Sequence, residues 1–499
     1  MRIVESVVGD IRKQVFTEVA RLAYEGDYTQ LDQLPYRIVP GEVAKYRNSI
    51  FLERAIVGER LRLAMGLPLR TMSEHAPLSL GVKDSAVGEK YFDPPLVNII
   101  KFACNACPDR FFVTDACQAC LAHPCIEACP KKCIEMRDRA YIHQDQCIKC
   151  GRCKQVCPYE AITRQERPCV QACGVDAIVS DDQDKATIDQ SKCVSCGMCI
   201  VNCPFGAISD KGQIFQLVHA MKSGAEMVAI VAPSFLGQFG PQVTPERLTA
   251  ALQVLGFSHV MEVAVGADLC TIEEAKDFLH FVPGEQPFMA TSCCPAWSSM
   301  AKREFPDISG NLSMAMTPMV LTGRLAKKNY PGSKVVFIGP CAAKKLEASR
   351  KSVRSDVDFV LTYEELMGMF LAKGIDLNQI EGSDPLEEPT AAGRGFPVGG
   401  GVAKAVVGAI QRLDPDREVK VAAAEGLREC RQLLAKAQKG LYDGYLLEGM
   451  ACPGGCVAGT GTVQNARKTA KMVELYQTQC RDQNAMDSRY ELSLGLLVD

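Results

Sequence analysis

Between residues 211 and 460, short apolar runs alternate with stretches whose apolar positions recur every three or four residues. The runs predict strands at 227–232, 260–265, 288–292, 334–338, 419–423 and 445–448. The periodic stretches between them predict helices with readable ends. Thr244-Pro245 opens one and Gly256 stops it; Thr317-Pro318 opens another; Thr362-Tyr363-Glu364-Glu365 opens a third that closes at Gly374. Strands alternating with helices imply α/β layers and mostly parallel sheets. Residues 11–23 and 43–65 carry helical periodicity, so residues 1–99 form a helical N-terminal segment with a packing or docking role. Residues 100–210 lack long periodic runs and predict short strands and tight turns. The tail holds one helix over 465–480 and an apolar end at 492–498.

Composition narrows the class. A 499-residue chain with 47% hydrophobic residues is a soluble, multidomain protein. A net charge of −3 without long single-sign runs argues against a nucleic-acid surface. No apolar stretch reaches the ~20 residues of a membrane span, and the N-terminus lacks a secretory pattern, so the expected compartment is the cytoplasm. The 25 cysteines are the main signal, because 17 of them lie between Cys104 and Cys203. In a reducing compartment such crowding indicates metal ligation and not a disulfide framework.

Two cysteine runs have full bacterial-ferredoxin spacing: Cys147, Cys150, Cys153, Cys157-Pro158 and Cys193, Cys196, Cys199, Cys203-Pro204. A lengthened third run is Cys117, Cys120, Cys125, Cys129-Pro130. A lone Cys-x2-Cys pair also suits zinc, but the repeated three-plus-one pattern ending in Cys-Pro is that of 4Fe-4S ligation, with the fourth thiolate reaching the partner cluster. Crossed pairing gives Cys117, Cys120, Cys125 with Cys157, and Cys147, Cys150, Cys153 with Cys129. Cys173 completes Cys193, Cys196 and Cys199. Cys169 and Cys203 remain, and Cys104 with Cys107 could complete a fourth site, so three to four clusters are expected. Cys133 is left over as a buried thiol.

Three further segments follow predicted strands, where parallel α/β sheets place functional groups. They are Thr291-Ser292-Cys293-Cys294-Pro295-Ala296-Trp297, Gly339-Pro340-Cys341-Ala342-Ala343-Lys344-Lys345-Leu346-Glu347, and Glu448-Gly449-Met450-Ala451-Cys452-Pro453-Gly454-Gly455-Cys456. In residue type and spacing they resemble the three signature motifs of the iron-only (FeFe) hydrogenases. The implied fold is mixed α+β and α/β: the helical segment 1–99, a ferredoxin-like multi-cluster 4Fe-4S domain at 100–210, and a catalytic domain of two α/β lobes with a C-terminal tail at 211–499.

The resemblance also implies chemistry. Cys294, Cys341, Cys452 and Cys456 would hold the H-cluster, a 4Fe-4S cubane linked through Cys456 to a two-iron centre with CO, CN and a bridging dithiolate. Cys293 would donate protons, along a path through Glu274, Ser313 and Asp277. Lys344 would donate to a cyanide, Glu347 would close the proton path or anchor the loop, and Ala232, Pro233, Ser234 and Met450 would touch the two-iron centre. Gly399-Gly400-Gly401-Val402 resembles a family segment lining the site. Gly339, Met319 and Gly459-Thr460-Gly461-Thr462 depart from well-studied members and resemble the branch called group B. The implied function is interconversion of H2 with protons and electrons, with ferredoxin or a similar one-electron carrier as partner and maturation proteins supplying the two-iron centre. The alternatives are a hydrogen sensor and an iron–sulfur assembly protein lacking that centre.

Overall fold

The structure, a computed structural model, describes residues 6–104, 109–350, 353, 355–383, 386 and 389–497. Cys107 lies outside them.

Two parallel sheets organise the C-terminal half. The larger has the strand order His259–Glu262, Met227–Val231, Lys334–Gly339, Phe359–Thr362, all parallel. The smaller has the order Met289–Ala290, Tyr445–Met450, Lys420–Glu425, also parallel. Every residue of Met227–Val231 is buried, as expected of a central strand covered on both faces. Two of the three capping signals are realised in full; the helix Pro318–Asn329 does start after Thr317, but the Thr317 hydroxyl makes no capping bond. Thr244 caps Pro245–Leu255, which ends at left-handed Gly256. Thr362 and Glu365 form a capping box on Tyr363–Lys373, which ends at left-handed Gly374.

Three expectations need correction. The run 260–265 is not one strand: it ends at Glu262, and Ala264 starts the helix Ala264–Phe281, because buried Ala and Val serve a core helix as well as a strand. The helix expected over 43–65 begins at Ile50, where the Ser49 side chain accepts the Phe51 N–H. The strand Phe359–Thr362 was hidden by the helix-start signal that directly follows it.

The cysteine-rich segment contains two small antiparallel units, one nested in the other. The outer unit pairs Val97–Ile99 with Ile208–Asp210 and includes the hairpin Ile178–Ser180/Ala186–Ile188. The inner unit pairs Arg110–Val113 with Ile162–Gln165 and includes the hairpin Ile134–Met136/Ala140–Ile142.

The N-terminal helix Val7–Glu25 packs on Tyr363–Lys373, and Gly368 permits the close crossing: a Cβ there would sit 2.6 Å from Phe16 Cβ. A buried ion cluster joins the iron–sulfur segment to the larger sheet. Lys345 Nζ donates to Asp210 Oδ2 and Glu365 Oε1, each at 2.8 Å, and to the Lys211 carbonyl at 3.1 Å. Replacing Lys345 leaves two buried carboxylates without their cation. Lys345→Met should therefore destabilise the protein by about 3–5 kcal/mol, read as a lower denaturant midpoint by circular dichroism under anaerobic conditions.

Candidate active site

The C-terminal ends of the two sheets converge on one cavity with about 870 Å³ of space not filled by protein atoms. From the larger sheet, Met227–Val231 delivers Ala232, Pro233 and Ser234, and Lys334–Gly339 delivers Pro340 and Cys341. From the smaller sheet, Met289–Ala290 leads to Cys293 and Cys294, and Tyr445–Met450 leads to Cys452 and Cys456. Residues far apart in the chain thus share one wall because parallel strands end on the same edge. Met450, Met319 and Phe337 fill the apolar sides. Gly339 has no side chain in that wall: a Cβ there would press on the Phe337 ring.

Polar groups in the cavity are few and held. Lys344 Nζ lies 2.7 Å from Glu347 Oε2 and donates to the Cys293 carbonyl at 3.3 Å. Burial opposes the ammonium charge, but Glu347, Cys341 and Cys293 outweigh it and push its pKa up. Glu347 therefore anchors the lysine. Tyr363 Oη donates to the Ala232 carbonyl at 3.0 Å, so the Ser234 hydroxyl, 2.8 Å away, donates to Tyr363.

Behind Cys293 stands a group of acids on the helix Ala264–Phe281. Glu274 is fully buried; its Oε1 accepts the Ser292 N–H at 3.4 Å, and the Ser313 side chain is close enough to favour its charged form. Burial pushes its pKa up to about 7, Ser313 and the Ser292 bond opposing and Glu273 and Asp277 assisting. Asp277 is half-buried one turn further out, and burial raises it too. Cys293, Glu274, Ser313 and Asp277 are thus brought together. Sequence reasoning missed Glu273, which acts on both neighbouring acids and could have been noticed as the first of the adjacent pair Glu273-Glu274. It also missed Tyr363.

The glycine run 399–402 does not itself line the cavity; Phe396 and Pro397 do. Its Gly400 amide serves Glu448 instead, which also accepts from Ala403 just beyond the run, each at 2.8 Å, capping the helix Gly401–Leu413.

Because Glu274 is raised, the folded state keeps a proton that the unfolded state loses above its ordinary value of 4.5. Its contribution to stability is present below that value and falls as pH rises to about 7. Glu274→Gln should remove this decline, a difference of up to about 3 kcal/mol between acid and alkaline conditions. Denaturant titrations of both proteins across that range check it, since wild type and variant should diverge only through this window.

The remaining thiols ring voids instead of converging on one point as ligands of a single ion do among the described residues. Cys117, Cys120, Cys125 and Cys157 surround one void. Cys129, Cys147, Cys150 and Cys153 surround a second, where Cys133 also sits with its Sγ 3.5 Å from Cys129 Sγ. Cys104, Cys169 and Cys203 border a third. Cys173 lies within electrostatic reach of Cys193, Cys196 and Cys199. Backbone amides of Ala177 and Ala207 donate to Cys173 and Cys203 sulfurs at 3.2 and 3.3 Å. Both crossed pairings read from spacing coincide with these voids. Thiols ringing a void, with amides aimed at sulfur, fit a cubane. Cys196 also borders the large cavity and lies within reach of Cys294 and Cys452.

Residues 225–460 match the family described as "Iron only hydrogenase large subunit, C-terminal domain", and residues 140–163 and 186–209 match the 4Fe-4S binding domain. The "NADP-reducing hydrogenase subunit HndD" of Solidesulfovibrio fructosivorans is 30% identical over 63% of this chain and 55% of its own length. "Iron hydrogenase 1" of Clostridium pasteurianum is 28% identical over 79% of each chain. "Cytosolic iron-sulfur assembly component 3" of Bos taurus is 28% identical over 46% of this chain and 59% of its own length. This chain therefore spans about half of the first relative and about four fifths of the second. Among the described residues no helix is long and apolar enough to cross a membrane. Residues 225–460 are thus similar to the C-terminal domain of iron-only hydrogenase large subunits, and the same polypeptide carries two segments similar to the 4Fe-4S binding domain.

Proposed function

We propose that this protein is an FeFe hydrogenase interconverting H2 with protons and electrons. The observation carrying the reading is the single cavity that gathers Cys294, Cys341, Cys452 and Cys456 with Cys293 and Lys344. The four thiols would hold the cubane of an H-cluster, and Cys456 would also hold the two-iron centre. When bound, that centre supplies the H–H bond-making and bond-breaking chemistry. The chain's residues do the rest. Apolar walls exclude water, which strengthens the electrostatics of the few polar groups inside. Lys344, fixed by Glu347 and the Cys293 carbonyl, presents a cation to a cyanide. Cys293 Sγ holds the proton nearest the cavity, and Glu274, with a pKa of about 7, is poised to exchange it near neutral pH through Ser313 towards Asp277.

The sulfur-ringed voids would hold clusters, which supply electron transfer. Cys196 beside Cys294 and Cys452 makes the set at Cys173, Cys193, Cys196 and Cys199 the last relay before the cavity. At the far end Cys150 is exposed, suiting exchange with ferredoxin or a similar one-electron carrier. The reading includes a cytoplasmic location and maturation proteins that deliver the two-iron centre. Phe337 in the space beside Gly339, with Met319 in the wall, supports placement in the group B branch.

The likeness to an iron–sulfur assembly component favours a second reading, a protein of the same fold without the two-iron centre. Infrared spectra of protein matured with the two-iron centre decide between them. Bands of iron-bound carbonyl and cyanide are expected; their absence from protein with a full iron–sulfur complement overturns the hydrogenase reading.

A further inference from the structure

Two buried arginines, neither with a carboxylate partner among the described residues, stand at the site of Cys104, Cys169 and Cys203: Arg167 lines its void, and Arg60 reaches Cys203 from the side of Gly206. Arg60, on the helix Ile50–Ala64, is 5% exposed, and its Nη2 donates to the Gly206 carbonyl. Its Nε and Nη1 are buried and unpartnered. Gly206, at φ +55° and three residues past Cys203, leaves room for this approach, since any Cβ there would collide with the guanidinium. Arg167, also 5% exposed, borders the same void. It donates to the Ser180 hydroxyl at 2.9 Å and to the Asp184 carbonyl, and its Nε is unpartnered.

Burial works against the charge of Arg60 and brings its pKa down to about 10; Arg12 and Arg47 add to this, and Cys203 favours the charge. The guanidinium is still a cation at neutral pH. A buried cation without a counter-charge costs several kcal/mol. Among the described residues, the group of opposite sign acting on Arg60 is Cys203, in the 4Fe-4S binding domain. A cubane held by three or four thiolates is a net anion in both its redox states, so it would supply the missing charge. The void at Cys117, Cys120, Cys125 and Cys157, in contrast, has no charged side chain in its lining.

We propose that Arg60 and Arg167 are the counter-charges of a cluster at Cys104, Cys169 and Cys203, and that they hold its reduction potential above that of the cluster at Cys117, Cys120, Cys125 and Cys157. Each one-electron reduction adds a negative charge beside two fixed cations, so the reduced form is stabilised and no proton need follow. Cys169 lies within reach of Cys199, so the electron rests next to the final relay. The proposal depends on that site holding a cluster and is independent of hydrogen chemistry at the cavity.

The test is a redox titration followed by electron paramagnetic resonance, with iron quantified in each protein. Cys203→Ser identifies the signal belonging to this site. Arg60→Met should shift that signal alone, lowering its reduced-to-oxidised ratio at fixed potential at least tenfold, about 59 mV for one electron. Arg60→Lys should stay closer to wild type, and Arg167→Met should move the same signal in the same direction. Unchanged potentials in both Met variants overturn the proposal, as does a Lys variant shifted as far as Arg60→Met. If Arg60→Met does not retain iron, Arg167→Met decides alone. Wild-type iron matching only three upstream cubanes would overturn the cluster assignment itself, a different failure from unchanged potentials.

Discussion

Cys456→Ala should abolish hydrogen turnover to background while leaving the upstream iron–sulfur complement intact. The expectation follows from where Cys456 stands. It opens a short 3-10 turn, Cys456–Ala458, after two left-handed glycines, Gly454 and Gly455, that fold the loop back from Cys452. Gly455 sits where a Cβ would lie 2.6 Å from the Pro397 carbonyl and 2.7 Å from Gly399 N, so the loop is pinned against the neighbouring segment. Cys456 is thereby fixed within reach of Cys294, Cys341 and Lys344, all at the same cavity. No other cysteine of the loop can take its place, because Cys452 is already one of the four. Alanine keeps the fold and deletes the single thiolate assigned to join cubane and two-iron centre. Infrared carbonyl and cyanide bands should vanish from the matured variant, and iron bound at residues 104–203 should be unchanged. Wild-type hydrogen evolution from Cys456→Ala would refute the assignment of the bridge.

Much of this site was legible because its chemistry is local in sequence. Cysteine spacing in the ferredoxin-type runs anticipated which thiols share a void, including the crossed pairings of Cys157 and Cys129. Helix ends were legible for the same reason: Thr244, Thr362 and Gly374 act through hydrogen bonds within a few residues. Features made by distant residues were not legible. The nesting of one iron–sulfur unit inside the other depends on Val97–Ile99 meeting Ile208–Asp210 across the whole inner unit. The Lys345 cluster and the Arg60 approach to Gly206 likewise join segments more than a hundred residues apart. The run 399–402, expected from its resemblance to line the site, is absent from the cavity wall because Glu448 takes up the Gly400 amide. The error at 260–265 has another cause, since buried Val and Ala carry no period over so short a run.

Cys293→Ala should keep the metal complement and lose turnover by on the order of 10²–10⁴-fold, the usual worth of a positioned proton-transfer group. The thiol is half-buried at the cavity wall, and desolvation, assisted by Glu274 and Cys294, drives its pKa well up, so it holds its proton as a neutral S–H. A neutral donor that cannot ionise on its own must pass its proton to a neighbour. Glu274 is that neighbour, close enough to act on the thiol, protonated about half the time near pH 7, and beside Ser313. Alanine removes the hydrogen-bonding atom at the cavity end and leaves Glu274 facing a methyl group. The Lys344 bond survives, because its acceptor is the Cys293 backbone carbonyl. The infrared bands should therefore match wild type while the rate collapses, which separates a broken proton path from a damaged metal site. Cys293→Asp should restore part of the rate, with its pH profile displaced towards acid because a carboxylic acid gives up its proton more readily than a thiol. Unimpaired turnover in Cys293→Ala would move the path elsewhere, and the acids to examine next would be Glu273 and Asp277 on the same helix.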